Sequence, residues 1–93
     1  MTANRASSRN PEMEITVRYY AVLRETAGTA SEAFSLPAGS DGMALLAAVR
    51  DRHPGLGKWI HVVRLADEQA YLSAGDELMP DSTISLIPPV SGG

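Results

Sequence analysis

Residues 14–20 (EITVRYY) alternate strictly, with Ile15, Val17 and Tyr19 on one side and Glu14, Thr16, Arg18 and Tyr20 on the other. Side chains of a strand point to opposite faces in turn, so this is a strand with one face buried and one face wet. A sheet of that kind needs a second layer over its apolar face. Only one stretch offers a helix long enough to supply it. Ser40 or Asp41 can cap a helix running to about Arg52. Along it Leu45, Ala48, Val49 and Arg52 recur at i, i+3, i+4 and i+7, so the apolar stripe ends in an arginine whose methylene stem can lie along the core. One helix must therefore cover one sheet.

The remaining segments are short. Residues 21–27 (AVLRETA) are good helix formers stopped by Gly28, giving a turn or two of helix. Residues 31–36 (SEAFSL) form a second strand, stopped by Pro37-Ala38-Gly39. Pro54 disfavours helical geometry at His53, and Gly55 and Gly57 open a loop. Residues 61–65 (HVVRL) and 69–72 (QAYL) are further strand candidates. Turns fall at Gly75-Asp76 and Pro80-Asp81. Residues 83–87 (TISLI) are rich in β-branched side chains and end at Pro88-Pro89. The order is β, short helix, β, α, β, β, β and a tail, which predicts an α+β roll with a mixed sheet. The first two strands are too far apart for a two-residue hairpin, so packing must set their register. We expect a disordered arm over 1–12, a domain over 13–87 and an extended tail over 88–93.

Length and composition narrow the functions open to such a chain. Its 93 residues make one domain, and a domain that small buries only about 60–65% of its unfolded surface, with little room for an enclosed active site. The apolar share of 44% and charged share of 20% are those of an ordinary water-soluble domain. No apolar run reaches the roughly 18–20 residues of a membrane span. Residues 1–11 lack the apolar core of a secretory signal; Arg5, Arg9 and the serines are only faintly like a transit peptide. A cytoplasmic location is the default. The net charge is −3 and no basic stripe appears, which weighs against nucleic acid as a partner.

Side chains suited to catalysis are scarce. There is no cysteine, hence no disulfide, thiol nucleophile or cysteine metal site. His53 and His61 lie eight residues apart without a supporting carboxylate pattern, so they are read as ordinary loop and strand-end residues. No glycine-rich phosphate loop is present. Arg24-Glu25, Asp67-Glu68 and Asp76-Glu77 read as solvated charges. Trp59, beside Lys58, is expected to close the core beneath the helix rather than to stack on a ligand.

The end of the chain is different. Val90-Ser91-Gly92-Gly93 follows two prolines; at average usage two final glycines arise by chance in roughly 0.5% of chains. Pro88-Pro89 stops sheet pairing and projects the chain outward. Glycine passes a narrow channel because it has no side chain. A terminal carboxylate is ionised at neutral pH and is a poor electrophile. Transfer to AMP would give a mixed anhydride with a good leaving group, which a sulfur nucleophile could displace.

From Ile87 through Pro88-Pro89-Val90-Ser91 to Gly92-Gly93, the sequence resembles the ThiS/MoaD group of sulfur carriers, and within it the small subunit of molybdopterin synthase. Tyr19-Tyr20-Ala21, Leu23-Arg24-Glu25 and Gly28 add to the resemblance, which runs from about Met13 to Gly93. It implies a β-grasp (ubiquitin-like) fold and a non-catalytic carrier subunit. An ATP-dependent adenylating enzyme would activate the Gly93 carboxylate, and a sulfur donor would convert it to a thiocarboxylate. The tail would then enter the large subunit of molybdopterin synthase and give its sulfur to cyclic pyranopterin monophosphate. No cofactor would be bound; the ATP is the activating enzyme's. By position, Gly93 is the acyl site, Gly92 permits passage, and Pro88, Pro89, Val90 and Ser91 form the inserted arm. Tyr20, Ile87 and one of Tyr71 or Leu72 match an apolar patch that docks partners. In the family a Gly-Asp-Glu turn often precedes the last strand; the stretch aligned to it here reads Met79-Pro80-Asp81-Ser82. Alternatives are a carrier for thiamine thiazole or cysteine synthesis, a ubiquitin-like modifier joining Gly93 to lysines, and a plain interaction domain.

Overall fold

A computed structural model of the chain describes residues 11–89. Its elements are β1 (Glu12–Tyr19), α1 (Val22–Ala27), β2 (Ser31–Pro37), α2 (Gly42–Arg52), a 3-10 helix (Pro54–Trp59), β3 (Arg64–Ala66), β4 (Tyr71–Leu72) and β5 (Thr83–Ile87). The five strands form one sheet in the order β2-β1-β5-β3-β4. β1 and β5 run parallel at its centre, and the other neighbouring pairs are antiparallel. The mixed sheet under one main helix is the α+β roll the sequence predicts, in its β-grasp form.

The alternation of β1 sets the layers. Met13, Ile15, Val17 and Tyr19 are buried, and join Phe34 and Leu36 of β2, Leu65 of β3 and Ile84 and Leu86 of β5 in one core. The helix contributes Leu45, Val49 and also Leu46. Ala48 is half-buried, so the stripe is wider toward Leu46 than the periodicity alone indicates. Asp41, not Ser40, is the N-cap: its carboxylate accepts from the Ala44 N–H at 3.0 Å. The Ser40 hydroxyl instead closes a turn on the Pro37 carbonyl at 2.7 Å. Gly28 ends α1 in the left-handed region, φ 79°, where its N–H reaches the Arg24 carbonyl.

Several boundaries differ from the sequence reading, each for a local hydrogen-bonding reason. β1 begins at Glu12, inside the span assigned to the arm, because Glu12 pairs with Pro37 and the Pro11 carbonyl accepts from Ala38. Residues 54–59 are a 3-10 helix rather than an open loop; Pro54 starts it and Leu56 anchors it in the core at 1% exposure. Residues 61–63 are turn, not strand. The Val62 and Val63 N–H groups both donate to the Trp59 carbonyl at 3.0 Å, which removes them from strand pairing. β4 shrinks to two residues because Asp67 takes the Gln69 and Ala70 N–H groups at 2.8 Å. Those two bonds hold the exposed Asp67 carboxyl below its usual range. The turn that leads into β5 is Met79-Pro80-Asp81-Ser82, closed by the Ser82 N–H on the Met79 carbonyl with Asp81 at φ 64°; Gly75-Asp76 belongs to an earlier turn, in which the Asp76 N–H reaches the Ser73 carbonyl.

A polar knot closes one end of the core. The buried Tyr19 hydroxyl donates to Glu32 Oε2, and His53 Nε2 bonds the same oxygen. The Arg52 guanidinium stands 3.6 Å from Glu32 Oε1. Burial works to raise the Glu32 pKa, but the hydrogen bonds from Tyr19 and His53 and the charges of His53 and Arg52 outweigh it, so the carboxyl titrates below its ordinary value. An ionised carboxylate only accepts, so the His53 nitrogen facing it carries the proton. For Tyr19, burial first and then the bond to Glu32 push the phenol well above its ordinary range.

Candidate docking site at the root of the tail

The face of the sheet away from α2 carries the site. Strand register puts two adjacent rows across it. Arg18 lies beside Ser85, Ser85 beside Ala66, and Ala66 beside Tyr71. In the next row Ile87 lies beside Arg64, with Tyr20 just past the end of β1 at the other flank. Tyr20, Ala21, Val22, Trp59, Ala66, Ser85, Ile87, Pro88 and Pro89 line an apolar groove of about 750 Å³. Tyr20 and Tyr71 are exposed, at 38% and 60%. The small side chains of Ser85 and Ala66 keep the floor low.

The sequence candidates fall on this geometry as follows. Tyr20, Ile87, Pro88 and Pro89 meet in the groove. Tyr71 shares its face. Leu72 does not: it pairs with the buried Leu65, so its side chain lies on the helix side, half-buried against the core. Val90, Ser91, Gly92 and Gly93 lie outside the described residues. Trp59 packs against the core, as expected, but also lines the groove. Its indole Nε1 is buried and has no hydrogen-bond partner among the described residues.

Other groove residues escaped the sequence reading. Ser85 was detectable, because it alternates with the buried Ile84 and Leu86. Ala21 was not: it takes φ 52°, a sharp corner after β1 with no sequence signal in an alanine. Ala66 needed the register of β3, which also sets Arg64 beside Ile87 at the edge of the groove, where it lines a second pocket with Met43 and Arg50 of α2. The contact of Arg64 with the Tyr71 ring is a product of the β3–β4 register, whereas Arg18 meets the Tyr20 ring because the two stand two residues apart on one side of the chain. Among the described residues no group of three His, Asp or Glu side chains is placed to hold a metal ion. None of the described helices is long and apolar enough to cross a membrane.

A parallel central strand pair, short flanking strands and one helix across the sheet define a ubiquitin-like β-grasp protein. The chain belongs to the ThiS family, whose pattern it matches over residues 17–93. The human molybdopterin synthase sulfur carrier subunit is 35% identical over 89% of this chain and 98% of its own length. Among solved structures, small archaeal modifier protein 1 from Methanosarcina acetivorans superposes with a TM-score of 0.71 at 26% identity, covering 88% of this chain and 98% of that one. A chain from the complex of subunits 1 and 2 of the Helicobacter pylori molybdopterin-converting factor superposes with a TM-score of 0.58 at 28% identity, covering 87% of this chain and all of that one, 100%.

Proposed function

We propose that this protein is the sulfur carrier subunit of a molybdopterin synthase, working in the cytoplasm as a carrier rather than a catalyst. The join between β5 and the tail supports this most directly: Ile87, Pro88 and Pro89 line the groove, so the strand that delivers residues 90–93 also builds the dock beside them. The long match to a subunit of that name supports it independently. Gly93 is the acyl site. On an adenylating partner, the Gly93 carboxylate oxygen attacks the α-phosphorus of ATP, breaking the bond to the β-phosphate, so that pyrophosphate leaves and an acyl adenylate remains. A sulfur donor then displaces AMP, leaving a thiocarboxylate. Gly92 and the arm from Pro88 to Ser91 pass through the large subunit, where the sulfur is given to cyclic pyranopterin monophosphate. Tyr20, Tyr71 and Ile87 dock both partners on one surface, so the partners compete.

Intact mass spectrometry tests the assignment. After incubation with the activating enzyme, ATP and a sulfur donor, the chain should gain the mass of one oxygen-to-sulfur exchange, mapped to Gly93. A mass that never changes while partners still bind would leave only an interaction domain. The likeness to small archaeal modifier protein 1 favours one second reading, a protein modifier. Ladders of isopeptide conjugates in cell extract would establish that instead.

A further inference from the structure

We propose that the groove is matched to a large synthase subunit carrying an apolar knob with two carboxylates set diagonally about it, one meeting Arg18 and the other Arg64. The inference rests on the carrier reading above and names the chemistry of its docking partner.

The two rows place the arginines at opposite corners. Arg18 begins the row that ends in Tyr71, and Arg64 ends the row that begins at Tyr20. Each guanidinium carbon lies over a tyrosine ring, Arg18 at 5.8 Å from the Tyr20 centroid and Arg64 at 4.4 Å from that of Tyr71. A cation–π contact of this kind does not use up the N–H fork with which a guanidinium donates to a carboxylate. The ion pairs among the described residues are Arg52–Glu32 and His53–Glu32, so the fork of neither groove arginine is taken by a carboxylate there. The acids of β1 on this face, Glu12 and Glu14, stand at the other end of the strand; Glu14 is about 13 Å from Arg18 along it. In the two rows the charged side chains are Arg18 and Arg64, both cations, on a chain whose net charge is −3.

Between the arginines lies an apolar floor, which suits a hydrophobic knob of a protein better than a nucleic acid backbone. Charges at the rim of such a contact act mainly on encounter rate and orientation. The diagonal spacing adds direction: a partner with both carboxylates on one side can satisfy only one arginine. Correct docking would then fix the heading of β5 against the partner.

The test is calorimetric titration of the full chain with the large synthase subunit of the same organism, at low and at high salt. Arg18→Gln and Arg64→Gln should each weaken binding about 5-fold at low salt. The double variant should weaken it more than tenfold and flatten the salt dependence. Arg18→Lys and Arg64→Lys should keep most of the salt dependence, because the charge remains. Arg50→Gln, on α2 across the sheet from the groove, should change neither quantity. All variants should keep the wild-type melting temperature, since both arginines are exposed. A double variant with wild-type affinity and salt dependence overturns the proposal while leaving the carrier reading intact. So does tighter binding of single-stranded RNA than of the large subunit. If the wild-type chain neither binds the large subunit nor takes up sulfur, both readings fall.

Discussion

Glu32 is a partly buried carboxylate on which three donors or cations converge: Tyr19, His53 and Arg52. Its depressed pKa fixes the sign of its effect. The stabilisation is fully present above the unfolded value, near 4.5, and is lost as pH falls through the lower folded value. Glu32→Gln should cost on the order of 1–2 kcal/mol at pH 7, and the gap to wild type should close as urea melts are repeated below about pH 4.5. Tyr19 has the opposite sense. Its raised pKa means stability is kept below the unfolded value of 10.0 and declines above it, as the unfolded chain ionises first. Gly42 tests packing rather than charge. A Cβ there would stand 2.7 Å from Leu65 Cδ1 and 3.0 Å from the Ala74 carbonyl oxygen. The leucine can turn away, but the backbone oxygen cannot. Gly42→Ala should lower stability by about 1–2 kcal/mol despite alanine's better helix propensity, measurable by thermal melting.

At the scale of elements, both ends of α2 are tied to neighbours. Asp41 caps the first turn, and Asp41→Ala should cost about 1 kcal/mol in a denaturant melt. At the other end Arg52 does more than cover the core. The Tyr19 N–H bonds the Ala30 carbonyl, so by the two-residue phase of an antiparallel pair Ser31 and Ala33 turn their backbone groups away from β1. β2 is the outer strand of the sheet, and unpaired edges invite strand addition. Here the Arg52 guanidinium donates to the Ala33 carbonyl and the Thr29 hydroxyl to the Ser31 carbonyl, both at 2.9 Å. Arg52 also stacks 3.9 Å from the Phe34 ring centroid. Arg52→Ala should therefore cost about 1 kcal/mol and raise self-association at high concentration, read by light scattering.

For the whole molecule, folding and the proposed chemistry are separable. Every buried apolar side chain among the described residues lies between Met13 and Leu86. Deleting Gly93 should abolish sulfur uptake and leave the melting temperature within about 1 °C of wild type, because truncation outside the packed core costs little. Full sulfur transfer by that truncation would remove the carrier mechanism.

Alternation along β1, the stripe of α2 and the β-branched run of β5 were legible in the sequence because each is a local period enforced by one buried face. The Gly28 stop and the proline stop after Ile87 were legible too, since they act through backbone geometry at single residues. The extents of β3 and β4 and the 3-10 helix were not, because competing hydrogen bonds to Trp59 and Asp67 decide them. Nor could one sequence choose Tyr71 over Leu72 or set Arg64 against Tyr71, because the pairing of β3 with β4 decides both. Arg18 and Tyr20, by contrast, share a side through the alternation of residues 14–20 itself. The alternation of β1, the α2 stripe and the end of β5 are local, because each rests on residues a few positions apart. Bringing Tyr20, Trp59, Ala66 and Ile87 into one groove took the packing of the whole sheet, because they come from four separate segments of the chain.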